Sequence, residues 1–238
     1  MRSTAMPEMK GRAAGKVRIK KWCITVILLA ILLAMAGYSY WKGSLRQKII
    51  YPESLDKVAA LVNGKELTLR ELAFYVAYEE EEVERQAFIY NPQDTNEYWN
   101  LHANNTYIRV AARNAAIQMA IHDELFYQMA RQEELALSEE EELSLAEHVN
   151  EFWTELKDYG KVERLGVEQE DIEETMRRIA YSQKMQYVYA QTQGMESVDY
   201  DFYADAYLEY LKTQDYFISE PVWGSVDFGN VTYTHRET

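Results

Sequence analysis

Apolar residues first gather in one unbroken run. From Trp22 to Trp41 the chain reads WCITVILLAILLAMAGYSYW, twenty residues without a charge. At 1.5 Å per residue such a helix is about 30 Å long, the thickness of a bilayer's hydrocarbon core. The run predicts a transmembrane helix, with Leu28 and Leu32 in its apolar body and Trp22 and Trp41 at the two interfaces. Past residue 57 the pattern shortens to that of strands. Val58 to Leu67 reads as two short strands around Asn63-Gly64, the pair preferred in a type I′ hairpin because both central residues need positive φ. Thr68-Leu-Arg-Glu71 is a capping box and predicts a helix from that point to about Tyr90, where Asn91-Pro92 breaks it.

The longest predicted helix runs from about Thr106 to Glu134. Ile108, Ala112, Ala115, Met119, His122, Phe126 and Met129 recur at steps of four and three, and Ile117, Ile121 and Leu125 give a second apolar face. A helix with two buried faces is the expected spine of an all-α domain. Ser138-Glu-Glu-Glu141 is a second capping box and opens a helix that stops near Gly160. Another helix spans Glu168 to about Gln193, with acidic residues at its start as the helix dipole prefers. Ser197 caps a final helix that places Tyr200, Tyr203, Tyr207 and Tyr210 on one stripe, and a strand-like tail follows from residue 218. The fold expected is mostly α: a transmembrane helix, a small β-hairpin, a multi-helix domain and a short strand-like C-terminal tail.

Charge sharpens this division. The 238 residues carry 25 Lys/Arg and 39 Asp/Glu, a net charge of −14. Residues 1–50 contribute +9 and the remainder −23. So acidic a surface repels phosphate backbones and argues against a nucleic-acid partner. The basic residues flanking the apolar run place residues 1–21 in the cytoplasm, 22–41 across a cell membrane as a signal anchor, 42–57 in a tether, and 58–217 in an extracytoplasmic domain. The lipid bilayer is then a partner through residues 22–41. Ala34-Met35-Ala36 also fits a signal-peptidase site, so the alternative is secretion after cleavage at Ala36. Cys23 is the only cysteine, which excludes an intrachain disulfide.

Catalytic patterns are missing. The chain has no Gly-rich phosphate loop, no GxSxG elbow, and no HExxH or CxxC pair. His122 lies on the apolar stripe and reads as a packed or interface histidine rather than a ligand. The acidic runs Glu79–Glu82 and Glu139–Glu142 lack the alternating oxygens and glycine of a calcium loop and read as solvated helix faces. Asn104-Asn105-Thr106 and Asn230-Val231-Thr232 match the glycosylation pattern, which matters only in a eukaryotic secretory pathway. No cofactor, metal or catalytic residue is expected. Among 19 tyrosines, Tyr200, Tyr203, Tyr207 and Tyr210, with Tyr181, Met185 and Val188 on the preceding helix, form a candidate client-binding surface, because rings and thioethers adapt to varied partners. For any one of these residues, ordinary packing core ranks ahead of client contact.

The stretch VAALVNGKELTLREL resembles the opening of SurA/PrsA-type N-terminal chaperone domains, through Val62, Asn63, Gly64, Leu67, Thr68 and Glu71. Leu135 to Glu141, Leu165 to Ile172 and Tyr203 to Tyr210 are similar to later family elements in the same order, so the resemblance covers about residues 57–217. It implies ATP-independent binding of unfolded or nascent exported proteins. Relatives often carry a parvulin peptidyl-prolyl isomerase domain; only 21 residues follow Phe217, so that activity is not expected here. Two alternatives stand beside it. One is a non-catalytic scaffold with a dedicated membrane-complex partner or a second copy of itself; the other, weaker, is an atypical isomerase.

Overall fold

The computed structural model describes residues 31–35 and 49–235. The chain divides into two units, Met1–Gln47 and Lys48–Thr238. In the first, residues 31–35 are helical and exposed. The expected membrane span is corrected: among the described residues no helix is long and apolar enough to cross a membrane. Trp22, Leu28 and Trp41 lie outside the described residues. The single-pass placement across a cell membrane rested on that span and falls with it.

The second unit begins by packing rather than tethering. Ile49, Tyr51 and Leu55 are buried, and the Tyr51 hydroxyl donates to the Leu69 carbonyl at 2.6 Å. Strands β1 (Val58–Val62) and β2 (Lys65–Thr68) form the predicted hairpin, with Asn63 and Gly64 both at positive φ (48° and 83°). The Thr68–Glu71 box forms, since Glu71 accepts from the Thr68 amide at 2.9 Å. Helix α1 nevertheless starts only at Ala73 and runs to Tyr90. After the short α2 (Asn96–Trp99), a two-residue ladder of β3 (His102–Ala103) and β4 (Thr106–Tyr107) leads into α3 (Ile108–Gln132).

Helix α3 is the spine, packed between α1 and α6. One buried face carries Ile117, Ile121 and Leu125, with Ala116 and Ala120 beside them. Phe126 and His122 of the heptad-like stripe are buried as well, so both apolar faces of the helix are packed. Helix α4 (Glu139–Asp158) opens on the predicted Ser138–Glu141 capping box and packs on α6 (Gln169–Thr192). Between them lies α5 (Val162–Leu165), ended by Gly166 at φ 72°, where a Cβ would meet Pro52 at 2.5 Å.

The expected continuous final helix is broken. Ser197–Tyr200 is a 3-10 turn, residues 201–204 are irregular, and α7 covers only Asp205–Leu211. Gln186, buried on α6, pins the break by donating to the Ser197 carbonyl and to Asp201 Oδ1 at 2.8 and 2.9 Å. Strand β5 (Tyr216–Ile218) then pairs antiparallel with β1, giving the order β2-β1-β5, so one small sheet joins both ends of the unit. From residue 219 to 235 the tail is not a strand. It forms a strap over α1 and α3 that buries Trp223, Val226, Phe228 and Val231.

Candidate functional site

A large opening lies between α4 and α6. It is a groove of about 940 Å³ lined by Leu137, Leu145, Met176, Ile179 and Val188, with Phe74 of α1 also in its lining. That volume lies within the range of ligand-binding clefts. Its apolar lining follows from helical spacing: Met176, Ile179, Ala180, Gln183, Tyr187 and Val188 fall on one side of α6. Polar bridges hold the groove's end. Lys184 Nζ donates to Glu141 at 2.6 Å and to the Ala136 carbonyl at 3.0 Å, and Arg177 reaches Glu142 at 2.6 Å. Lys184 and the Ser138 cap amide hold the Glu141 carboxyl below the usual range.

The sequence-selected residues scatter around this geometry. Val188 lines the groove. Tyr203 is 59% exposed and lies beside Phe202, with ring centroids 4.2 Å apart. Tyr181 is half-buried against Tyr127. Met185, Tyr200 and Tyr207 are buried in the core, and half-buried Tyr210 stacks on Phe126 at 6.0 Å. Tyr207 lies edge-on to His122 at 4.8 Å, and burial pushes its phenol well above the ordinary value. Its hydroxyl has no hydrogen-bond partner among the described residues. Most of the tyrosine stripe therefore anchors the broken final helix to α3 and α6, and offers a client no surface in this conformation. The interrupted helix is the cause: residues 201–204 rotate Tyr203 away from its neighbours.

A buried polar network joins α1, α3 and α6. Arg178 pairs with Glu71 at 2.8 Å and with Glu124, and its guanidinium lies 4.9 Å from the Tyr127 ring. Asp123 accepts from Tyr75 at 3.0 Å and Ser182 at 3.1 Å, and His122 Nδ1 lies 3.0 Å from it. The other ring nitrogen of His122 faces the Tyr200 carbonyl at 2.9 Å. Ser182, fully buried, thus gives its hydroxyl hydrogen to the Asp123 carboxylate inside the packed network. The cavity beside it is about 20 Å³, room for one water. Among the described residues no group of three His, Cys, Asp or Glu is placed to hold a metal.

The acidic run Glu79–Glu82 is not a solvated face. Glu80 is fully buried and accepts from the amides of Gly229, Val231 and Thr232 at 2.6, 3.2 and 2.6 Å, and from the Thr232 hydroxyl at 2.6 Å. Burial pushes its carboxyl up, partly offset by these four donors. Glu81 pairs with Lys161 and Tyr233, and Lys161 Nζ sits 4.6 Å from the Tyr233 ring centroid. Thr232, within a glycosylation pattern, is buried. Neighbouring Glu79 is half-buried, without a cation partner among the described residues, and burial raises it to about 7. No local pattern separates Glu80 from Glu81, since their partners lie about 80 to 150 residues away, whereas Glu82 pairs with Arg85 one turn along the same helix. Glu139–Glu142 divides as well: Glu139 and Glu140 are exposed, whereas Glu141 and Glu142 are paired. Compared with known proteins, the chain matches no family model, no curated protein and no solved structure.

Proposed function

We propose that this protein is a non-catalytic, ATP-independent chaperone-like binder that holds apolar segments of unfolded or partly folded polypeptides in the groove between α4 and α6. The observation that carries this reading is the groove itself: Met176, Ile179 and Val188 are only partly buried and border an opening large enough for several side chains. Removing apolar surface from water is worth roughly 25 cal/mol per Å², without directional demands, which suits many unrelated sequences. Met176 adds a thioether that conforms to different shapes. The resemblance of residues 57–217 to SurA/PrsA-type N-terminal domains points the same way. A second reading, a scaffold with one dedicated partner, draws on Phe88, Ile89 and Tyr90, which are exposed together at the end of α1.

The test is light scattering of a chemically unfolded client diluted into buffer with and without the protein. Saturable suppression near stoichiometric amounts, without ATP and weakened by Ile179→Asp, is the expected result. Full suppression by that variant, or none by the native chain for several unrelated clients, removes the groove from consideration. Mild crosslinking that captures a single protein rather than many favours the scaffold.

A further inference from the structure

The sheet ends on two unlike edges. Strand β2 carries Lys65 and Glu66, and Lys65 is tied to Glu71 at 2.8 Å. Charge on an edge strand discourages pairing with another chain, because desolvating it is costly. Strand β5, Tyr216-Phe217-Ile218, has no charge. Its hydrogen bonds fix which way each residue faces. The Asn63 amide donates to the Asp215 carbonyl at 2.7 Å and the Ser219 amide to the Ala59 carbonyl at 2.8 Å, so residues 215, 217 and 219 face β1. Tyr216 and Ile218 therefore point N–H and C=O outward, and no hydrogen bond reaches these groups among the described residues. Directly opposed residues share a face of the sheet, so Glu66, Leu61 and Phe217 stand in one row across β2, β1 and β5. In that row Leu61 is exposed and Phe217 is 60% exposed.

We infer that β5 is a self-pairing edge, which joins antiparallel to β5 of a second copy of this chain and so merges two of these sheets into one. A two-fold axis at Phe217 sets the register. It places Tyr216 opposite Ile218 of the other copy, twice, and engages every outward amide and carbonyl of the two strands. The same register keeps like charges apart: Asp215 faces Ser219 and Gln214 faces Glu220, so no carboxylate meets a carboxylate across the seam. The apolar row then runs Leu61, Phe217, Phe217, Leu61, with a Glu66 at each far end. A strand that is uncharged along its length and symmetric in its outward groups is thus complementary to itself. None of its residues lines the α4–α6 groove, so this inference does not rest on the polypeptide-binding reading.

The test is sedimentation equilibrium of the full chain over a range of concentrations. The edge is short against a standard interface, so the dimer should be half-formed on the order of 100 µM. Weight-average mass should climb from 27.9 kDa toward twice that value. Raising salt from about 50 to about 500 mM should tighten the dimer severalfold, since both copies are acidic. Phe217→Lys sets two cations at the axis, and Ile218→Pro removes an outward amide that the single chain leaves unbonded. Each should weaken the dimer at least about tenfold. Phe217→Cys with Cys23→Ser reads the register, because the two Cα atoms would lie about 4.5 Å apart, within disulfide reach. That variant should oxidise to a covalent dimer many times faster than Gln214→Cys in the same background. A chain that stays monomeric to about 1 mM overturns the self-pairing. A dimer that both the Lys and the Pro variants leave intact, or crosslinking as fast at 214 as at 217, overturns it too by placing the contact elsewhere.

Discussion

Two apolar surfaces in the same unit end differently. The one over α1 and α3 is covered by the chain's own residues 219–235, whose Trp223, Val226, Phe228 and Val231 are buried. The one between α4 and α6 is left open. What separates them is backbone chemistry. The strap is irregular chain without a strand ladder, so burying it leaves amides in search of acceptors. Glu80 supplies acceptors for three of them, and Arg113 adds a donor to the Gly224 carbonyl at 2.8 Å. The open groove sets Glu140, Ser144, His148 and Gln183 among its apolar side chains. The first surface is closed in cis by chain whose amides Glu80 satisfies; the second has no such cover among the described residues.

The comparison breaks most severely at Glu80. Glu80→Ala strands four donors in the interior and should cost about 3–5 kcal/mol, read from denaturant unfolding. A loss under about 1 kcal/mol would mean that water or another acceptor satisfies the strap equally well. Next is Gly229→Ala. Gly229 sits at φ 87°, and an added Cβ would lie 2.8 Å from the Trp99 ring. A loss of about 2 kcal/mol is expected, with faster amide exchange confined to the strap and α2. Uniform exchange across the unit would show that the strap does not open by itself.

Glu79 tests the cost of a neighbouring carboxylate that lacks such donors. Its folded-state value of about 7 lies above the ordinary 4.5, so between those values the folded chain keeps a proton that the unfolded chain has lost. Stability must therefore fall as pH rises through that window. Glu79→Gln should flatten this decline and gain on the order of 1 kcal/mol at pH 8, after allowance for solvent screening, while matching the native chain near pH 4. Parallel pH profiles of the two proteins would sink the assignment. The smallest effect on stability belongs to the open surface. Ile179→Ser should shift unfolding by less than about 1 kcal/mol yet raise severalfold the amount needed to suppress client aggregation. A stability loss as large as that at Glu80 would place Ile179 in the sealed core instead.

Local signals were legible. The Asn63-Gly64 hairpin, the Ser138–Glu141 cap and the two-faced helix around Ile121 follow from spacing alone, because each depends on residues within a few positions. The client surface read from tyrosines was not, because one stripe of four rings presupposed a continuous helix. The buried Gln186, reaching Ser197 and Asp201, decided that break. Nor did sequence separate Glu79, Glu80 and Glu81, adjacent and chemically identical, which meet respectively no cation, a set of backbone amides, and a lysine with a tyrosine.

By itself, the sequence determined the first hairpin, the Ser138–Glu141 cap and the long helices α3, α4 and α6, since hydrophobic period and cap chemistry act over one or two turns of chain. Only the tertiary structure decided that residues 219–235 become a strap, that Tyr207 is core while Tyr203 is surface, and that the apolar side of α6 is left uncovered beside α4. Those outcomes depend on contacts between residues far apart in the chain, where burial and the satisfaction of backbone donors outweigh any local preference.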